Sequence, residues 1–197
     1  STLQGLKDML GFVNVASYTF QLSGNIDLSP IPGFHIGTLK ASFDGANHVV
    51  TGLNVTQGGS NAGLFETLAS GAKISNLGVS GGSVSGGANV GGLVGYNNGG
   101  TVSNSYATVA VTGSGANVGG LVGWNAGTIS NSYSSGNVTG NSNRGGLVGS
   151  NTGTVSNSHY NVDGVLINAG QLLTVGGLYN AQYLDWMTGN QSLNIAN

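Results

Sequence analysis

Carboxylates are the side chains of this sequence best suited to acid–base chemistry, and the six of them are scattered: Asp8, Asp27, Asp44, Glu66, Asp163 and Asp185. Glycoside hydrolysis needs two carboxyl groups roughly 5–10 Å apart. Asp44 with Glu66 is one candidate pair, since stacked turns of a repeating chain could bring the two together, and Asp27 with Asp44 is another. Residues 67–162 contain no carboxylate. We therefore predict no catalytic residue.

Metal and nucleophile chemistry finds equally little support in the sequence. The three histidines, His35, His48 and His159, do not share the spacing of metal ligands. The chain has no cysteine to act as a nucleophile or thiolate ligand. We expect no metal, no cofactor and no enzyme activity.

The charge content and the length of the apolar runs exclude two classes of partner. Charged residues make up 5% of the 197, with four Lys plus Arg and a net charge of −2. Binding to nucleic acid depends on lysine and arginine contacts to phosphate, so we expect no nucleic acid partner. No apolar run reaches the 18 residues or more that a spanning helix needs, so we expect no membrane insertion.

Internal repeats organise the chain. The string Gly-Gly-Leu-Val-Gly recurs at intervals of 28 and 26 residues, at 91–95, 119–123 and 145–149. A second string, Thr-Val/Ile-Ser-Asn-Ser, follows each copy, at 101–105, 128–132 and 154–158. Looser copies precede them at 61–65 and 73–77, and 49–55 resembles 73–79. Repeats of this length indicate a solenoid or a propeller.

The repeat composition favours strands over helices. Its apolar positions form short β-branched clusters between Gly, Asn and Ser, which favour turns. A propeller blade needs about 40–45 residues, more than one unit provides. The sequence therefore predicts an all-β, right-handed parallel β-helix of about five or six coils. Each coil would have three strands, for example Gly92–Tyr96, Thr101–Tyr106 and Thr108–Thr112.

Equivalent residues of stacked coils should form ladders. We expect Leu93, Leu121 and Leu147 to point inward, one above another. Strand side chains alternate between faces, so the valine after each leucine points inward only if a bend intervenes, and we leave its direction open. Asparagine tolerates a left-handed backbone at corners. We therefore expect two asparagine ladders at corners, one of Asn104, Asn131 and Asn157 and one of Asn97, Asn125 and Asn151.

The ends of the chain depart from the repeat, as solenoid caps do. We predict an N-terminal helical cap over 1–17, a solenoid over 18–163 and a C-terminal cap or linker over 164–197. Residues 2–13 should form an amphipathic helix with an apolar stripe of Leu3, Leu6, Leu10 and Val13. The C-terminal segment is dense in large apolar residues: Leu172, Leu173, Leu178, Tyr179, Tyr183, Trp186 and Met187.

Variation among the repeats identifies a candidate binding position. The residue after Gly-Leu-Val-Gly is Tyr96, then Trp124, then Ser150. A packed interior would tolerate a change from Trp to Ser poorly, so this position should be exposed or at an edge. Two stacked aromatic rings on a flank can bind a sugar face or a protein partner. The alternative is that both rings only shield a corner.

The repeat, read as Gly-Gly-Leu-Val-Gly-x-Asn-x-Gly-Thr-Val/Ile-Ser-Asn-Ser-Tyr, resembles the GLUG repeat of large bacterial surface proteins, over residues 38–160. Such repeats occur in filamentous-haemagglutinin-like adhesins that are exported by two-partner secretion. The resemblance implies a secreted or cell-surface β-solenoid from a longer chain.

From this we predict a structural and adhesive module of an adhesin or extracellular fibre, which displays stacked ladders for weak multivalent binding or self-assembly. Its expected partners are a glycan or a host or matrix surface, and like domains in the same or neighbouring chains. The alternative function is a carbohydrate-active enzyme, a polysaccharide lyase or glycosidase, on the same scaffold.

Overall fold

The computed structural model describes residues 2–161, and these form a parallel β-solenoid of about five turns with one short N-terminal helix. All strand pairs are parallel and join equivalent positions of successive coils, for example Val102 with Ile129. The predicted fold class is confirmed. The predicted division into a cap, a solenoid and a C-terminal segment stays a prediction, and residues 162–197, with their apolar cluster, lie outside the described part.

Four sheets, named here in the order in which the chain visits them within a coil, make up the solenoid wall. Sheet 1 contains Thr19–Gln21, Ser42–Asp44, Lys73–Ser75, Thr101–Ser103, Thr128–Ser130 and Thr154–Ser156. Sheet 2 contains Ile26–Asp27, Val49–Thr56, Gly78–Gly86, Tyr106–Ala107, Ala110–Gly113, Tyr133–Ser134, Val138–Gly140 and His159–Tyr160. Sheet 3 contains Asn61–Ala62, Asn89–Gly91, Asn117–Gly119 and Asn143–Gly145. Sheet 4 contains Ile36–Leu39, Phe65–Leu68, Val94–Asn97, Val122–Asn125 and Val148–Asn151.

The expectation of three strands per coil is wrong, because each full repeat has five short strands. The predicted strand 101–106 breaks at Asn104, whose φ of 48° turns the chain from sheet 1 into sheet 2. The strand expected at 92–96 instead begins at Val94, and a separate strand, Asn89–Gly91, precedes it. From Asn89 onward, sharp corners of this kind divide each coil into strands of two to four residues.

The bend between sheets 3 and 4 also explains the inward residues. Because Leu93 lies in the bend and Val94 begins the next strand, pleat alternation does not separate them, and both are fully buried. The Leu93 N–H donates to the Leu121 carbonyl at 3.0 Å, and the Leu121 N–H donates to the Leu147 carbonyl at 2.9 Å. The three leucines thus lie in the interior on successive coils.

Glycine lets sheet 3 lie directly on sheet 4. A Cβ placed on Gly123 would lie 2.5 Å from the Val90 nitrogen, and one on Gly95 would lie 2.7 Å from the Ala62 nitrogen. Real side chains essentially never come so close to backbone atoms. The repeated glycine of Gly-Leu-Val-Gly is therefore required by contact between two backbones.

The structure corrects the register of the earliest repeat, because 49–55 does not correspond to 73–79. Val49–Val55 pairs with Gly78–Val84, whereas Lys73–Ser75 pairs with Ser42–Asp44. The left-handed corners decide this register, since Ala46 and Asn47 at positive φ correspond to Asn76. A corner tolerates few residue types, whereas an alternation of Val and Gly fits several registers.

The N-terminal helix is shorter than predicted. It spans Leu3–Asp8, with the N-cap hydroxyl of Thr2 accepting from the Gly5 N–H at 3.1 Å, and continues as a 3₁₀ turn over Met9–Gly11. The tighter 3₁₀ turn has three residues per turn, so Met9, three residues after Leu6, is buried instead of Leu10, which is 38% exposed.

Candidate functional site

The residues predicted to bind a ligand form a column on the outer side of sheet 4. Tyr96 pairs in register with Trp124, and Trp124 pairs with Ser150 on the next coil. The two ring centroids lie 5.2 Å apart with their planes tilted by 36°. Tyr96 and Trp124 are half-buried, and the Tyr96 hydroxyl donates to Oδ1 of Asn98 at 3.1 Å. The structure thus brings the two rings together on one flank.

An asparagine ladder lies beside this aromatic column, and sequence reasoning missed it. The side-chain Nδ2 of each member donates to Oδ1 of the member one coil earlier, at 2.7–2.9 Å: Asn89 to Asn61, Asn117 to Asn89, and Asn143 to Asn117. Asn61 also donates to the Thr67 hydroxyl at 3.1 Å. Because Thr67 pairs with Tyr96, that contact places the two columns side by side.

The signal for this ladder was present in the sequence. An asparagine stands two residues before the Gly-Gly of each repeat, at Asn89, Asn117 and Asn143. Two turns are each one residue shorter in the later coil, Asn125–Thr128 against Asn97–Thr101 and Gly140–Asn143 against Gly113–Asn117, so the last interval of the ladder is 26 residues instead of 28. The surrounding Gly, Ser and Ala carry no pattern, so these asparagines resembled loop residues.

Exposure along the asparagine ladder changes in parallel with the aromatic column. Asn89 is 9% exposed, Asn117 is half-buried and Asn143 is exposed. In the same direction Tyr96 and Trp124 give way to Ser150. The loss of the aromatic ring at Ser150 thus coincides with the exposure of Asn143. Within the described residues, the buried Nε1 of Trp124 has no hydrogen-bond partner.

The two asparagine ladders named from the sequence have different roles. Asn104, Asn131 and Asn157 have φ between 44° and 49° and form corners, as expected. Asn97 and Asn125 are buried in the interior, where Asn97 donates to Asn125 at 2.7 Å and Asn125 donates to Asn151 at 2.8 Å. Asn97 also accepts from the Gly100 N–H at 2.9 Å, so this ladder holds the adjacent turn rather than a left-handed corner.

Asp44 terminates the corner ladder and is engaged on both oxygens. Its Oδ1 accepts from Asn76 Nδ2 at 3.0 Å and from the Ala46 N–H at 2.9 Å, and its Oδ2 accepts from Gln21 Nε2 at 2.9 Å. These hydrogen bonds, that of Asn76 foremost, hold the pKa of Asp44 below its ordinary value. A lowered pKa is the opposite of what a general acid needs.

The other carboxylates of the candidate pairs are also engaged. Hydrogen bonds from the hydroxyl and the backbone N–H of Ser29 lower the pKa of Asp27. Glu66 accepts from Gln57 Nε2 at 2.7 Å and contacts His35 Nε2 at 3.0 Å. Asp44 belongs to sheet 1, where it pairs with Gln21 and Ser75, whereas Glu66 belongs to sheet 4, so the two are not neighbours in one stack.

A second aromatic column lies on sheet 2. Tyr106, Tyr133 and His159 stack with nearly parallel rings, at centroid distances of 4.9 Å and 5.5 Å. Both faces of Tyr133 are therefore occupied by its neighbours, and only ring edges face outward. Burial, with a smaller effect of Tyr106, raises the pKa of Tyr133.

Residues 2–161 contain no group of three or more His, Cys, Asp or Glu side chains placed to hold a metal ion. The same part of the chain has no helix with the length and apolar character needed to cross a bilayer. A cleft between the N-terminal helix and the first coil is lined by Thr2, Gly5, Leu6, Met9, Phe20, Gln21, Leu22 and Phe43, none of which is a catalytic acid or base.

The stacked parallel strands and the side-chain columns on their outer faces define a repeat protein of the parallel β-solenoid class. Residues 86–112 and 114–139 match the family model described as the GLUG motif. One solved structure with the same fold is described as a "putative immunoglobulin A1 protease" from Bacteroides ovatus, at 21% identity and a TM-score of 0.60. The match covers 81% of this chain and 65% of that one, so the chain spans about two thirds of its length. No curated protein matches the chain.

Proposed function

We propose that this chain is a rigid, non-enzymatic display module of a secreted or cell-surface bacterial adhesin or extracellular fibre. The observation that carries the proposal is the in-register stack, in which Val94, Val122 and Val148 close the interior while Thr101, Thr128 and Thr154 of sheet 1 repeat at successive coils. Parallel strands repeat at about 4.8 Å. Such a wall offers one weak contact many times, which is the basis of avidity.

The state of the ionisable groups supports a role without catalysis. Asp44 has a lowered pKa and accepts three hydrogen bonds, and His35 uses one ring nitrogen on the Gly33 carbonyl and the other on Glu66. A histidine engaged in this way has no nitrogen left to activate a nucleophile. The protease description belongs to the Bacteroides ovatus protein, and a likeness at 21% identity supports the fold alone.

The proposed partners follow from composition and repeat type. A net charge of −2 and 5% charged residues suit contact with neutral glycans or with host or matrix surfaces better than with nucleic acid. Like domains of the same or neighbouring chains are the second class of partner. Export to the cell surface, by the two-partner route of filamentous-haemagglutinin-like adhesins, is the part of the proposal that rests on the resemblance of the repeat alone.

Multivalent binding is the direct test. The biotinylated chain would be compared as a monomer and as a streptavidin tetramer on immobilised mucin and on collagen, with sedimentation to detect self-association. We expect the tetramer to be retained at least about a hundredfold more strongly than the monomer, or the free chain to form oligomers. Failure of the tetramer to bind either surface, together with a strictly monomeric chain, would overturn the proposal.

One observation favours the alternative function, a carbohydrate-active enzyme. Glu66 and His35 are each about one third exposed and lie 3.0 Å apart on the flank. The test is reducing-sugar release and unsaturated-product absorbance with acidic and neutral polysaccharides, with D44N and E66Q as variants. Turnover by the parent chain that either variant abolishes would establish an enzyme, and absence of turnover would reject it.

A further inference from the structure

The aromatic column on sheet 4 ends with an unfilled position. Tyr96 covers one face of Trp124 at 5.2 Å, and the residue in register on the opposite side of Trp124 is Ser150. An aromatic side chain at 150 would continue the stack, but a serine is too small to cover an indole. Within residues 2–161, the face of the Trp124 ring on the side of Ser150 is therefore not covered by another ring.

Polar groups border this position on its sheet 3 side. Asn143 is exposed and uses one N–H on Asn117, which leaves its carbonyl oxygen and its second N–H for other partners. The Ser150 hydroxyl adds a further donor and acceptor. No other residue within 2–161 forms a hydrogen bond with these groups.

The local charge indicates a neutral ligand. Arg144, the charged residue nearest in sequence, follows Asn143 and lies on the opposite face of its strand, where its Cγ comes within 3.2 Å of a Cβ placed on Gly140. Trp124 and Ser150 carry no charge. An aromatic face with amide and hydroxyl groups at its border suits a pyranose, which has an apolar C–H face and a rim of hydroxyls.

We propose that the open position over Ser150 is a subsite for one neutral pyranose ring, stacked on Trp124 and hydrogen-bonded by Asn143 and Ser150. This inference rests on the proposed display function and names its ligand class. Each chain would bind one sugar weakly, and multivalency would supply the strength.

The second aromatic column provides a matched control. Tyr133 has both ring faces covered by Tyr106 and His159, so a sugar cannot stack on it. Substitution of Tyr133 removes a similar exposed aromatic group without touching the proposed subsite.

The experiment screens the streptavidin tetramer on an array of neutral hexose and N-acetylhexosamine oligosaccharides and follows the best binder by titration. We expect S150W to fill the position and weaken binding at least about tenfold, W124A to do the same, and Y133S to leave it unchanged. W124F should retain binding but lose the change in tryptophan emission. Circular dichroism and urea unfolding establish that each variant is folded.

Two results would overturn the subsite. One is retention or gain of binding by folded S150W, which would mean that the sugar does not occupy this position. The other is absence of parent binding to every neutral oligosaccharide. If the tetramer still adheres to mucin or collagen in that case, the display function stands and only the subsite fails.

Discussion

Asn131 shows how a single residue determines a corner. Its φ is 49°, a region that costs an ordinary L-residue about 1–2 kcal/mol, and its side chain accepts a hydrogen bond from Asn157. Asparagine thus meets two requirements at once, a left-handed backbone and a contact between coils. This explains why Asn recurs at Asn76, Asn104 and Asn157.

Replacement of Asn131 should separate these two requirements. We expect N131V to lower the free energy of unfolding by about 2–3 kcal/mol, because a β-branched side chain is strained at positive φ. N131G, which keeps the backbone freedom and loses the side chain, should cost about 1 kcal/mol or less. Urea denaturation measures both, and equal losses would show that the ladder contact dominates instead.

Asp44 gives the molecule a dependence on pH. Its pKa in the folded chain lies below the unfolded value, because Asn76, Ala46 and Gln21 donate to the carboxylate. The resulting stabilisation is complete above the unfolded pKa and is lost as the pH falls through the folded pKa. We therefore expect the thermal midpoint to decline below about pH 5.

The matched variant for this dependence is D44N. It should be less stable than the parent at pH 7, and the difference should shrink toward pH 3 as the parent carboxylate becomes protonated. Thermal unfolding at several pH values measures this difference. A gap that stays constant from pH 7 to pH 3 would contradict the assignment.

Among the elements, the packing of sheet 3 against sheet 4 depends on glycine and not on interlocking side chains. Their backbones touch at Gly95, Gly123 and Gly149, where a Cβ would lie 2.4–2.7 Å from a backbone nitrogen of the facing strand. The bend between the two sheets then buries Leu93 and Val94 together. A motif that is rich in glycine can thus produce a close-packed wall.

A single added methyl group tests that contact. We expect G123A to lower the free energy of unfolding by about 2–3 kcal/mol, because backbone atoms at 2.5 Å and 2.6 Å cannot move aside cheaply. G58A is the control, since its Cβ would meet nothing within 4 Å, and it should change stability by less than about 0.5 kcal/mol. Similar values for the two variants in urea would refute direct backbone packing.

At the scale of the whole described chain, residues 2–161 form a stack in which each coil contacts its neighbours. Val111 pairs with Val138, and Thr112 pairs with Thr139, so Thr112–Val138 is one complete coil. The stability of such arrays is approximately a sum over coils and their interfaces. The core, accordingly, is a continuous column of mostly aliphatic side chains, with Phe43 and Phe65 among them, that ends under Leu6 and Met9 of the N-terminal helix and 3₁₀ turn.

Removal of one coil should therefore leave a shorter solenoid. We expect deletion of Thr112–Val138 to give a folded chain with a strand-type circular dichroism spectrum and a urea m-value lower by about a fifth, in proportion to the surface that unfolding exposes. Deletion of 112–124, about half a coil, should abolish cooperative unfolding because every later strand leaves its register. A folded half-coil variant would contradict the stacking model.

The repeat spacing and the residue types were sufficient to predict a parallel β-solenoid, the inward Leu93 column and the corner at Asn104. Each depends on local chemistry, namely aliphatic burial or tolerance of positive φ, and recurs at the same place in every copy. The register of 49–55, the five strands per coil and the Asn89 ladder were decided by tertiary structure. They depend on where distant backbones meet. Because glycine has no side chain, the sequence contains no pattern that predicts which backbone a given glycine contacts.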